Sequence, residues 1–169
     1  TMTFKASPAE FGGTVTFDTT LAAGITYTMA TNALTLTGLL TIQNTVGGAT
    51  GNTVLTTSAA NLGITAGSVT LGTRGTLTAN ASTISVGGNW TVTAANAVFT
   101  AGTSTVVFTA TATVNMTQAF NNLTISAGTS TLAANTTVNA TLTVSGGTLA
   151  KATFTLSAAT LTLSGGALT

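Results

Sequence analysis

The chain has 169 residues, and 45 Thr, 28 Ala and 19 Gly make up more than half of them. Its only charges are Lys5, Arg74, Lys151, Glu10 and Asp18, for a net charge of +1, and it contains no His and no Cys. Three scattered cations cannot neutralise a phosphate backbone, so nucleic acid is excluded as a partner. Without Cys or His there is no thiolate or imidazole metal site and no nucleophile relay with a His base. No cofactor is implied, and the reading is of a non-enzyme.

Apolar residues recur at every second position, in short runs that end at Gly, Asn or Ala-Asn. Thr is β-branched and favours extended backbone, so these runs read as strands. In chain order the candidates are 14–17, 25–29, 34–36, 39–42, 69–71, 83–86, 90–93, 105–108, 123–125, 142–144, 153–156 and 161–163. Gly pairs at 12–13, 47–48, 87–88, 146–147 and 165–166 punctuate them. No run of 18 apolar residues appears, so no transmembrane segment is predicted.

An internal repeat runs through the C-terminal part. Leu123-Thr-Ile-Ser-Ala-Gly-Thr recurs 19 residues on as Leu142-Thr-Val-Ser-Gly-Gly-Thr, and after another 19 as Leu161-Thr-Leu-Ser-Gly-Gly-Ala. Looser echoes stand at Ile64-Thr-Ala-Gly and Ile84-Ser-Val-Gly-Gly, and Leu40-Thr-Ile-Gln-Asn reads as a degenerate early copy. A period near 20 marks a repeat architecture, with one coil per period and each coil stacked on the last. The expected fold is therefore all-β, an irregular parallel β-solenoid. An antiparallel β-sandwich or jelly roll is the alternative, above all for the first half, where the repeat is weak. Leu123, Ile125, Leu142, Val144, Leu161 and Leu163 would form the core ladder, with Thr124, Thr143 and Thr162 facing outward between them.

Residues 1–30 differ in composition. They hold the only Pro, both acids, the only Tyr and three of the seven Phe. They read as a cap or subunit-joining segment, with 31–169 as the repeat domain, since terminal coils must cover an open end. Phe4, Phe11, Val15 and Phe17 are the candidate subunit-joining anchors. The start at Thr1 suggests a mature chain that has lost a secretion signal, or a piece of a longer protein.

The runs Val86-Gly-Gly-Asn-Trp-Thr, Phe99-Thr-Ala-Gly-Thr-Ser-Thr-Val-Val-Phe-Thr and Phe120-Asn-Asn-Leu-Thr-Ile-Ser resemble the Thr/Gly-rich repeats of large secreted bacterial surface proteins. Those proteins are adhesins and the passenger regions of autotransporters. The resemblance covers about residues 64–169 and implies a secreted, extracellular or cell-surface location with a structural or adhesive role. From it and the missing charge we expect a structural subunit of an extracellular filament, sheath or surface layer, assembling head to tail with copies of itself. A glycan- or surface-binding module of a large adhesin is the alternative, and ice binding a minor one.

Glu10 and Asp18, eight residues apart, lack the Arg- and Asp-rich surroundings that polysaccharide chemistry needs. Asp18 alone is a thin basis for calcium. Thr-x-Thr pairs at 14/16, 26/28, 35/37, 76/78, 91/93, 141/143 and 160/162 suggest an ordered Thr surface, although Thr is enriched everywhere. Asn-x-Ser/Thr sequons stand at Asn80, Asn89, Asn115, Asn122, Asn135 and Asn139, as candidates for glycosylation. Asn115, Asn121 and Asn122 are alternatively corner residues that bond to backbone.

Overall fold

The computed structural model describes residues 9–92, 94 and 96–169. Strand pairing among them is parallel throughout, which gives a solenoid of about seven turns and rules out the antiparallel sandwich. The first coil carries β1 (Ala9–Phe11), β2 (Val15–Phe17) and β3 (Ile25–Thr28). The second carries β4 (Leu34–Leu36), β5 (Leu39–Ile42) and β6 (Thr53–Thr56), and the third β7 (Ile64–Ala66), β8 (Ser68–Leu71) and β9 (Gly75–Thr78). The fourth carries β10 (Thr83–Val86), β11 (Trp90–Val92) and β12 (Val98–Thr100).

Later coils are shorter. They contain β13 (Thr105–Phe108), β14 (Ala112–Asn115), β15 (Asn122–Ile125), β16 (Thr129–Leu132), β17 (Thr136–Val144), β18 (Thr148–Ala150), β19 (Leu156–Leu163) and β20 (Ala167–Leu168). The strands stack into three faces: β1-β4-β7-β10-β13-β15-β17-β19, β2-β5-β8-β11-β14-β16-β18-β20, and β3-β6-β9-β12.

The interior follows from strand alternation. On the first face Leu34, Ile64, Ile84, Val106, Leu123, Leu142 and Leu161 lie in register, one per coil. Beside them run Ala66, Val86, Phe108, Ile125, Val144 and Leu163. The 19-residue echoes are thus stacked rungs, as the sequence implies. Thr124, Thr143 and Thr162 also lie in register between them. Only the burial of the last rung differs: Leu142 and Val144 are sealed, whereas Leu161 and Leu163 are 48% and 52% exposed because no coil covers them in the structure.

Two expectations need correction. Leu40-Thr-Ile belongs to the second face, where Leu40 pairs with Val15 and Val69; the early copy on the first face is Leu34-Thr-Leu. An apolar-Thr-apolar triplet suits any face of the coil, so the motif alone does not say which. The strand expected over 153–156 is largely a turn, closed by Phe154 N–H donating to the Lys151 carbonyl at 3.0 Å; the strand starts at Leu156.

Aromatic residues fill the wide middle of the core. Trp90 is fully buried and meets Phe99 and Phe120 at centroid distances of 5.0 and 5.7 Å. Its indole N–H reaches the Met116 sulfur at 3.1 Å. The third face ends at β12, and Gln118 continues its hydrogen bonding. Its side-chain amide donates to the Ala97 carbonyl at 2.7 Å and accepts from Phe99 N–H at 2.6 Å, so one amide side chain takes the place of a peptide group.

Candidate functional site

The features with chemistry lie at three places: the two ends of the stack, and the corner between the second and third faces in the first coils. At that corner the chain makes its widest excursion, residues 43–52, beside the loop at residues 18–24. Residues 72–74 then turn the same corner in three residues, and the wider loop above leaves a cleft of about 480 Å³. Asn44, Thr45, Gly47, Gly48, Thr73 and Arg74 are among its lining.

Close backbone approach sets this corner. Gly24 has φ +80, and a Cβ on Gly51 would run into the Ala23 carbonyl, so the two loops touch main chain to main chain. Asn44 is 1% exposed and fully used. Its amide donates to the carbonyls of Leu21 (3.3 Å) and Gly51 (2.9 Å), and its oxygen accepts from Val46 N–H (3.1 Å). Asp18 joins the same loops. Its carboxylate accepts from Thr45 Oγ1 (2.8 Å), Thr45 N–H (3.1 Å), Thr19 N–H (2.8 Å) and Gln43 Nε2 (3.1 Å). Partial burial raises its pKa, but the donors from Thr45, Thr19 and Gln43 outweigh that and hold the carboxyl below the usual value of 3.8. Asp18 is therefore a clasp between the first two coils, with its lone pairs already taken up.

Arg74 sits in the short turn at φ +54, and its Nη1 donates to the Thr50 carbonyl at 3.2 Å. Glu10 lies apart, lining a second cleft of about 500 Å³ with Phe11, Gly12, Thr35 and Thr37. Among the described residues no group of three or more Asp, Glu, Cys or His could hold a metal ion, and no helix is long and apolar enough to cross a membrane.

The four candidate anchors do not form one patch. Phe4 lies outside the described residues. Phe11 is 42% exposed and Val15 half-buried, but Phe17 is a core residue, 6% exposed and packed on Tyr27 at 5.1 Å. Residues 9–28 form a complete three-stranded coil, each strand paired with the second coil, and Phe17 continues the buried column of Ile42 and Leu71.

The sequon asparagines are mostly structural brackets. Asn89, Asn122 and Asn135 accept from Thr113, Thr141 and Thr155 N–H one coil on, at 2.8, 3.3 and 2.9 Å. Asn61 does the same for Ala81 at 2.9 Å. Asn122 also donates to the Ser104 carbonyl at 3.3 Å, and Asn80 to Thr57 Oγ1 and the Ser58 carbonyl at 3.2 and 3.1 Å. Asn115 is half-buried and Asn139 exposed. Of the Thr pairs, 141/143 and 160/162 share a register on the first face. On the third face Thr28, Thr56, Thr78 and Thr100 form one column, while Thr26, Val54, Thr76 and Val98 alternate beside it. The pair 91/93 falls partly outside the described residues.

Sequence reasoning missed Gln43, Asn44 and Gln118, which have no motif. Their roles come from loops that meet only when the coils stack. Compared with protein-family models, curated proteins and solved structures, the chain matches none.

Proposed function

We propose that this chain is a structural element of a secreted extracellular filament, sheath or surface layer, lengthened by stacking the terminal coil of one copy on the first coil of the next. The observation that carries the reading is the last rung. Leu161, Leu163 and Leu168 continue ladders that are buried one coil earlier, yet stand 48%, 52% and 36% exposed. Strands β19 and β20 hydrogen-bond on one side only, and an unpaired parallel edge is a template for a further strand. At the opposite end β1 and β2 likewise pair on one side only among the described residues. No charge lies in β19 or β20, and Glu10 is the only one in β1 or β2, so these strands carry little charge that would oppose the approach. Repeating such a head-to-tail contact gives a fibre.

Electron microscopy of concentrated purified protein tests the proposal. We expect unbranched filaments about as wide as one solenoid, lost when Leu161→Lys and Leu163→Lys are introduced together. Dispersed monomers at every concentration would overturn it.

A further inference from the structure

The corner cleft has properties that stacking does not need. Its upper wall, residues 43–50, puts only Asn44 and Ala49 into the interior, yet the Asp18 carboxylate and the Asn44 amide hold it through six hydrogen bonds of 2.8–3.3 Å. A long surface loop fixed in advance by polar side chains is the usual setting of a binding site. The floor is Arg74, one of three cations in the chain. Its guanidinium has five N–H donors, one of which goes to the Thr50 carbonyl. Neither carboxylate of the chain serves it: Asp18 is taken up by Thr19, Gln43 and Thr45, while Glu10 lines the other cleft.

The rest of the lining is neutral and mixes polar with apolar groups. Thr45 and Thr73 bring hydroxyls, Gly47 and Gly48 bring accessible backbone, and Val46 adds a small apolar surface. One cation among hydroxyls and peptide groups suits a ligand with a single carboxylate, many hydroxyls and one apolar ring face. A polyphosphate would call for more positive charge. The volume of about 480 Å³ is in the range of small-ligand sites. We propose that this cleft binds a hexuronate sugar of an acidic polysaccharide, with Arg74 holding the sugar carboxylate.

The variant Arg74→Asn separates binding from folding. Asn adopts positive φ more readily than Arg, so the turn keeps its shape while the cation is lost. Calorimetry and amide chemical-shift mapping would use a short oligohexuronate, a neutral oligoglucose of equal length, and acetate. We expect the oligohexuronate to bind, with shifts confined to Thr45, Gly47, Gly48, Thr73 and Arg74. Affinity should fall at least about tenfold for the neutral sugar and for Arg74→Asn, as loss of a charge-assisted hydrogen bond implies. The melting temperature of the variant should stay close to that of the wild type, the easier positive φ of Asn offsetting the lost bond to the Thr50 carbonyl. Failure to bind, equal binding of the neutral sugar, or acetate binding as tightly as the oligohexuronate would each overturn the proposal. None of these readouts depends on filament formation.

Discussion

From Leu34 to its partner Ile64 the chain spends 30 residues on one coil; from Leu123 to Leu142, and again to Leu161, it spends 19. The same ladder is climbed in both regions, so the extra residues of the early coil add no rung to it. They form the loops at 43–52 and 57–63. The late coils are held by stacked apolar rungs and backbone ladders, with Asn brackets at the corners. The early coils add a set of side-chain clasps: Asp18 to Thr45 and Gln43, Asn44 to Leu21 and Gly51, and Arg74 to Thr50. A solenoid thus tolerates long excursions where side chains tie them down, because the rung register is set by the interior face alone.

The largest expected effect separates a covered rung from an open one. Leu142→Ala removes a sealed side chain and should cost about 2–5 kcal/mol in urea denaturation. Leu161→Ala, one coil on in the same column, should cost less than about 0.5 kcal/mol in the monomer, as an exposed site does. Equal losses would mean that the last coil is covered in the isolated protein.

Next comes the early clasp. Asn44→Ala leaves the Gly51 carbonyl and the Val46 N–H without their partner, at about 1–3 kcal/mol for each that stays buried, while the Leu21 carbonyl keeps its bond from Gly24 N–H. Hydrogen exchange should rise over residues 43–52 and leave the β15–β18 rungs protected. Uniform exchange across both regions would erase the distinction drawn between them.

The smallest effect is a pH response confined to the first two coils. Because the folded-state pKa of Asp18 lies below its unfolded value of 3.8, the stability it contributes is complete above that value. It is lost as pH falls through the folded pKa. Thermal melts at about pH 6 and about pH 2.5 should therefore show a larger drop for the wild type than for Asp18→Asn, which has no carboxylate to protonate. Identical drops would show that the clasp does not titrate.

How much of this was legible in the sequence follows the same division. Where coils hold a near-constant length, partners in space are also echoes in sequence, so Leu123, Leu142 and Leu161 could be aligned by eye. Between Leu34 and Ile64 the inserted loops destroy the echo while the pairing persists, and the sequence offers Leu40-Thr-Ile, a second-face triplet, as the early copy. The distinct composition of the first 30 residues marks Phe17 as a candidate joining anchor; in space it is the first rung of the Ile42 column. The cleft left no motif at all. Gly47-Gly48 and Arg74 lie 26 residues apart, and only the unequal turns of coils two and three bring them together.

The central claim is that the echoes lie on adjacent rungs, and cross-linking tests it most directly. The chain has no native Cys. Thr124 and Thr143 are register partners on neighbouring parallel strands, about 4.8 Å apart across the ladder and within disulfide reach. Thr124 and Thr162 are two rungs apart, about 9.6 Å, and beyond it. Mild oxidation of dilute protein should close an intramolecular disulfide in the Thr124→Cys, Thr143→Cys variant and leave Thr124→Cys, Thr162→Cys with free thiols. Free thiols in the first variant, or closure only in the second, would contradict the stacked-coil account.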